Sequence, residues 1–482
     1  MDKPLKILFL SAEVDPFAKT GGLGDVAASL PIALKALGHD VRVVMPAYRK
    51  IEQGTFPDVS VSDVSLKVPM GIGLLPAGVF ESTIPNTDVP VYFIAERNLF
   101  DRDNIYGYRD DPYRFAFFSR AALDLTVALQ WKPDILHAHD WHAAPAIMWL
   151  STTGQYSDWY RSFPSIFTIH NLAHQGHSPW DILNYMGMQA NSLREEAYGQ
   201  INFMARGIYH ATMINTVSPS YAREIMTREG GAYLEELLRH RHFDVHGILN
   251  GLDYDLWNPA TDTRIEQTFS LDDLDGKKAN KRALQAMAGL PQRDDVPLFA
   301  MVSRLDYQKG LDIMGQTMHL LLNGHAGDAQ FVVLGTGADE YENMFRQLAS
   351  YHNNKMTAFL EYNADMAALI YAGSDMFLMP SRFEPCGLSQ MISMRYGTIP
   401  VVRATGGLAD TVQDAVNGVT FTQHTVNDFW QAIQRACYVY NIDKPMWANL
   451  QRNAMQADYS WDRSARRYEQ MYGWALSRHH NG

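Results

Sequence analysis

Four short segments set cationic or carboxylate side chains beside glycines at the ends of apolar runs, and each implies a chemistry. In Lys19-Thr20-Gly21-Gly22-Leu23-Gly24-Asp25 the glycines open a helical pattern. Such a start lets backbone N–H groups approach an anion, the helix dipole favours phosphate there, and Lys19 adds a point charge. The spacing fits neither a Walker A loop nor a dinucleotide fingerprint, which disfavours a nucleoside triphosphate or NAD. The plain alternative is a tight strand-to-helix turn with a solvated lysine. In Ser303-Arg304-Leu305-Asp306-Tyr307-Gln308-Lys309-Gly310, Arg304 and Lys309 bracket the exit from an apolar run. They can converge on one pyrophosphate or stand as two surface charges. In Ser381-Arg382-Phe383-Glu384-Pro385-Cys386-Gly387-Leu388, Glu384 can accept from sugar hydroxyls while the N–H groups of Cys386 and Gly387 donate. A helix-capping turn would use the same residues. Cys386 has no base beside it in sequence and is not read as a nucleophile. Thr405-Gly406-Gly407 offers a second glycine-rich helix start and another anion contact.

Histidines form a second pattern. His137-Ala138-His139-Asp140-Trp141-His142 invites a metal reading, but side chains at strand-to-helix spacing diverge and no second ligand cluster accompanies them. Asp140 accepting from sugar hydroxyls fits better. His170, in Thr168-Ile169-His170-Asn171, ends the next apolar run. The pairs Asp101/Asp103, Asp253/Asp255 and Asp273/Asp275 read as turn or surface residues rather than a metal–nucleotide site.

These residues must be held by the elements between them. Non-alternating apolar runs at Lys6–Leu10, Val41–Met45, Val91–Ala95, Asp134–His137, Ser165–Ile169 and Met213–Val217 predict parallel strands covered on both faces. Helical patterns lie between them, such as Val26–Leu37 and Tyr113–Leu129. A second series follows at Leu298–Val302, Gln330–Leu334, Thr357–Leu360, Met376–Met379 and Pro400–Val402. The expectation is α/β, with two doubly wound, Rossmann-like parallel-sheet domains: residues 1–247, then 248–459, with a helix over 460–482 packing back on the first. In such sheets ligands bind beyond the carboxyl ends of the strands, where the segments above fall.

The 482 residues carry a formal net charge of -12 with no basic run, which argues against nucleic acid and anionic membranes as partners. Two cysteines, Cys386 and Cys437, exclude a disulfide framework. No run is long enough to span a bilayer. A cytoplasmic location is expected, with a plastid or other origin open for a processed chain.

The motifs taken together, with Asn250-Gly251-Leu252-Asp253 and Thr405-Gly406-Gly407-Leu408-Ala409-Asp410, resemble bacterial glycogen synthases and plant starch synthases. They run in the family's order across nearly the whole chain. The resemblance implies a retaining glucosyltransferase of GT-B architecture with an interdomain active-site cleft. The donor would be ADP-glucose and the acceptor an α-1,4-glucan, either glycogen or maltooligosaccharide. The first domain would serve the acceptor and the second the donor, and no metal or organic cofactor is implied. Glu384, Arg304, Lys309, His170 and Asp140 match the catalytic positions. Lys19, Gly22, Asp25, Tyr106, Asn250, Tyr362, Cys386, Gly387, Thr405 and Gly406 match donor-binding ones, with Tyr362 stacking on adenine and Tyr106 closing over the sugar. His174 stands where the family often has tyrosine, altering acceptor or loop contacts. Ile392 stands where another retaining family carries a second glutamate. A nucleotide-sugar isomerase, a glycan-binding protein with a dead site, and a transferase using a smaller acceptor are the rival readings. The choice between ADP and UDP and the oligomeric state stay open.

Overall fold

The apolar runs become the parallel strands of two separate sheets. The computed structural model describes residues 3–481 except 192, 195, 197 and 198, with the backbone alone at 480 and 481. The first sheet contains β1 (Lys6–Leu10), β2 (Asp40–Pro46), β3 (Ser60–Met70), β4 (Gly73–Thr83), β5 (Pro90–Ala95), β6 (Ile135–His139) and β7 (Ser165–Ile169). After a small separate hairpin of β8 (His177–Pro179) and β9 (Gln200–Asn202), β10 (Met213–Thr216) and β11 (Val245–Gly247) complete it. Its strand order is β11-β10-β7-β6-β1-β2-β5-β4-β3. Ile7, Phe9 and Leu10 are fully buried, as a strand paired in parallel with β2 on one side and β6 on the other requires.

The hairpin of β3 and β4 is antiparallel and was not foreseen. Its signal was period two, with Leu66, Val68 and Met70 buried and Lys67 and Pro69 exposed, a pattern that continuous apolar runs do not show. The first helix begins at Gly22 rather than Val26 and ends at Ala36. β6 runs on to His139, so Asp134 falls outside it, and its carboxylate accepts from the Lys6 N–H instead, at 2.8 Å.

The second sheet holds β12 (Leu298–Val302), β13 (Gln330–Leu334), β14 (Met356–Phe359), β15 (Met376–Met379), β16 (Ile399–Arg403) and β17 (Val419–Phe421), in the order β14-β13-β12-β15-β16-β17. All its pairings are parallel.

The chain forms two units, Met1–Gly251 with Trp461–Gly482, and Leu252–Ser460. The first thus runs four residues past the expected boundary at 247. β11 still pairs with β10, the Ser464 hydroxyl donates to Leu249 O at 2.6 Å, and a Cβ at Gly251 would lie 2.5 Å from Trp461. The helix Trp461–Asn481 buries Tyr468, Met471, Tyr472 and Ala475 completely in the first unit. Among the described residues no helix is long and apolar enough to cross a membrane.

Candidate functional site

In each sheet the order reverses once. β1 leads to β2 on one side while β6 lies on the other, and β12 leads to β13 on one side while β15 lies on the other. Open parallel sheets bind ligands at such switch points; Lys19, Gly22, Asp25 and Asp140 in the first unit and Arg304, Lys309, Glu384, Cys386 and Gly387 in the second follow these strands, whereas Tyr106, His170, Asn250, Tyr362, Thr405 and Gly406 follow others.

In the first unit, Glu13 organises the loop after β1. Its carboxylate accepts from Thr20 N at 2.6 Å, Thr20 Oγ1 at 2.7 Å and Gly21 N at 3.1 Å. It also accepts from the Tyr106 hydroxyl at 2.8 Å. This buried glutamate, 4% exposed, escaped the sequence reading; its signal was an acid following an apolar strand just before a glycine-rich loop. Lys19 Nζ pairs with Asp25 at 2.5 Å and with Asp15 at 3.5 Å. Burial raises the Asp25 carboxyl against the pull of Lys19. Gly22, the first helical residue, has open space where a Cβ would stand. Tyr106 is half-buried and stacks on His142 at 4.7 Å, and burial lifts its phenol well above the usual range.

Asp140 begins the helix after β6 with a left-handed backbone, φ 54°. Its carboxylate accepts from the backbone N–H groups of His170, at 2.7 Å, and Asn171. Burial nevertheless raises it to about 7. The expected divergence of the histidines is not seen: His137 and His139, two apart on β6, share one face of the strand with ring centroids 4.2 Å apart. His137 bonds to the hydroxyls of Tyr472, at 2.8 Å, and Thr168, at 2.7 Å, while His139 Nδ1 meets His170 Nε2 at 2.9 Å. Burial lowers His137 and His170 to about 3, so both are neutral near pH 7. Among the described residues no group of three or more His, Cys, Asp or Glu is arranged to hold a metal ion. Asn250 is buried, and its Oδ1 has no hydrogen-bond partner among the described residues, so a ligand N–H or O–H can satisfy it.

In the second unit, the turn Tyr307–Lys309 after β12 and the loop after β15 are tied together. Arg382 N donates to Gln308 O at 2.8 Å, and Gly310, φ 69°, passes so close to Pro380 O that a Cβ would come within 2.0 Å. This clamp sets Lys309 Nζ 2.8 Å from Glu384 Oε2, which also accepts from Ser381 Oγ at 3.0 Å. Arg304 is 62% exposed and reaches Asp306 at 3.5 Å. Arg304, Lys309, Ser303 and Ser381 line one cavity of about 180 Å³. Gly387 and Gly406 have positive φ, 74° and 46°. A Cβ on Gly406 would lie 1.9 Å from Glu384 O, and Gly407 N donates to that same carbonyl at 3.0 Å. Thr405 and Cys386 are buried beside them. Tyr362 is 84% exposed, beyond the end of β14. The Asp pairs do other work: Arg49 holds Asp101 and Asp103, and Asp253 and Asp273 accept from backbone N–H groups of their own turns.

Two parallel-sheet α/β units with charged and polar groups at their switch points define a glycosyltransferase of the GT-B class. A family model described as "Starch synthase catalytic domain" matches residues 6–240, and one described as "Glycosyl transferases group 1" matches 269–446. The glycogen synthase of Moorella thermoacetica is 45% identical over 99% of this chain and 98% of its own. That of Geotalea uraniireducens is 42% identical over 98% and 99%. The catalytic domain of starch synthase IV from Arabidopsis thaliana, solved bound to ADP and acarbose, is 35% identical with a TM-score of 0.91, covering 98% of this chain and 100% of that one. The chain belongs to the glycogen synthase and starch synthase family, and it is a glucosyltransferase.

Proposed function

We propose that the chain transfers glucose from ADP-glucose to the non-reducing end of an α-1,4-glucan with retention of configuration. The observation that supports this most is the convergence of Lys309, Glu384 and Arg304 at one switch point. A nucleotide sugar releases a diphosphate, and cations already fixed where that charge develops stabilise the transition state without reorganising. Lys309 and Arg304 take that role on the distal phosphate. Lys19 and the N–H at Gly22 assist, with Asp25 holding the Lys19 ammonium in place. Thr405, Gly406 and the N–H groups of Cys386 and Gly387 complete the donor contacts, and Glu384 orients the sugar hydroxyls. Asp140, His170, Asn250 and Tyr106 contact the transferred glucose, and the exposed Tyr362 stacks on the adenine.

Asp140 already accepts two backbone N–H groups and Glu384 a lysine and a serine, so neither is poised as a nucleophile. Retention then follows from attack on the face the diphosphate leaves. The bond from C1 to the phosphate oxygen breaks as the acceptor's 4-oxygen bonds to C1, and the departing phosphate takes the acceptor proton. ADP rather than UDP is supported by the relative solved with ADP. Cys386 and Cys437, both buried and in no disulfide, suit a reducing, cytoplasmic setting. ADP release measured with ADP-glucose and with UDP-glucose, each with and without glycogen, tests the reading. Glycogen-dependent release from ADP-glucose is expected; donor breakdown independent of glycogen would refute it.

A further inference from the structure

We infer that His139 is a positioning residue for His170, fixing which ring nitrogen of His170 carries the proton. This rests on the reading in which His170 meets the transferred glucose. The two rings share one close contact, His139 Nδ1 to His170 Nε2 at 2.9 Å, so one nitrogen donates and the other accepts. Both rings are neutral, because burial lowers the affinity of each for a second proton. His139 packs against both Phe9 and His137, with ring centroids at 4.1 and 4.2 Å. Its Nε2 is buried without a hydrogen-bond partner among the described residues.

That orphaned atom decides the tautomer. A buried N–H with no acceptor is rarer and more costly than an unmet lone pair. The His139 proton therefore sits on Nδ1 and is donated to His170 Nε2. The single ring proton of His170 is left on its Nδ1, as a fixed donor for a ligand oxygen. The backbone of His170 is pinned independently by its N–H to Asp140 at 2.7 Å. Two consecutive residues, His139 and Asp140, thus hold the ring and the main chain of the residue that follows β7.

The test is a two-bond ¹H–¹⁵N correlation of the histidine-labelled full chain at neutral pH, with the His170 signals assigned by His170→Gln. The unaltered protein should show His170 protonated at Nδ1. His139→Asn keeps an N–H near the same place and should keep both that tautomer and turnover. His139→Leu removes the donor, so His170 should become a mixture of tautomers while kcat falls about 10–100-fold, by analogy with the loss when the partner orienting a metal-bound histidine is removed, and KM for ADP-glucose stays close to its starting value. Tyr472→Phe breaks the neighbouring bond to His137, 2.8 Å long, and should lower the melting temperature without changing the His170 tautomer. A proton on Nε2 of His170 in the unaltered protein, or an unchanged tautomer and kcat in His139→Leu, overturns the inference. The predicted tautomers in a protein that transfers no glucose would refute the proposed function and leave the role of His139 standing.

Discussion

Asp140 is held in a left-handed conformation and buried, with its carboxyl raised from 3.8 to about 7. Between those values the native protein keeps a proton there that the unfolded chain has released, so this position costs stability increasingly as pH rises towards 7 and the cost then levels off. Asp140→Asn removes that titration. Its melting temperature relative to the unaltered protein should climb from about pH 5 to about pH 7 and stay flat above, while its activity falls; a constant difference across that range would contradict the assignment. Lys309→Ala is expected to lower kcat about 10²–10³-fold, the usual loss when one preorganised charge on a developing anion is removed, and to lower the melting temperature as well, because the buried Glu384 loses its cation. Gly22→Ala gives the opposite kind of test. Its Cβ meets nothing within 4 Å, and alanine suits a helix better than glycine, so stability should hold or rise by about 0.4–1 kcal/mol. A higher KM for ADP-glucose in that stable variant would mark the space above Gly22 as the diphosphate's; an unchanged KM would move the diphosphate elsewhere. Lys19, Asp140, His170, Lys309 and Glu384 were legible as residue types at strand ends. Glu13 was not, and His139 was visible only as one histidine of a cluster, because what they do is hold other residues, and sequence spacing does not show a hydrogen bond between segments distant in the chain.

The elements explain why the local signals sufficed for most of the fold. Runs such as Leu298–Met301 and Phe331–Leu334 are buried on both faces, so their continuous apolar character identifies them without reference to neighbours. The β3–β4 hairpin lay outside that criterion because one of its faces is solvated. Strand ends moved by a residue or two, since pairing partners rather than hydrophobicity decide where a ladder stops. The glycines at Gly310 and Gly406 belong to this scale: each lets one loop pass against the carbonyl of another. Gly406→Ala adds a Cβ at a positive φ and against Glu384 O. It should destabilise by about 3 kcal/mol or more and displace Glu384, so thermal unfolding and kcat should fall together. Lost activity at full stability would mean that the glycine contacts the donor directly rather than seating the loop.

Across the whole molecule, the chain leaves its first unit at Gly251 and returns to it at Trp461. The returning helix supplies Tyr468 and Tyr472 to the interior of that unit, where they hydrogen-bond Asn215 and His137 at 2.8 Å each. Deleting residues 461–482 should therefore expose the first unit's core and give an aggregating protein by light scattering. A well-folded truncated chain would contradict this role. The two-unit plan was readable from the restart of the strand series, but the boundary was not, because β11 and residues 248–251 lack a long apolar run and are kept in the first unit by the distant terminal helix. The protein would be incubated with radiolabelled ADP-glucose and maltoheptaose, and the product digested from its non-reducing end with β-amylase. Label released in the first maltose, ahead of the bulk of the chain in a limited digest, would establish transfer to the non-reducing end through an α-1,4 bond. Label that resists β-amylase, or that never enters the glucan, would contradict it.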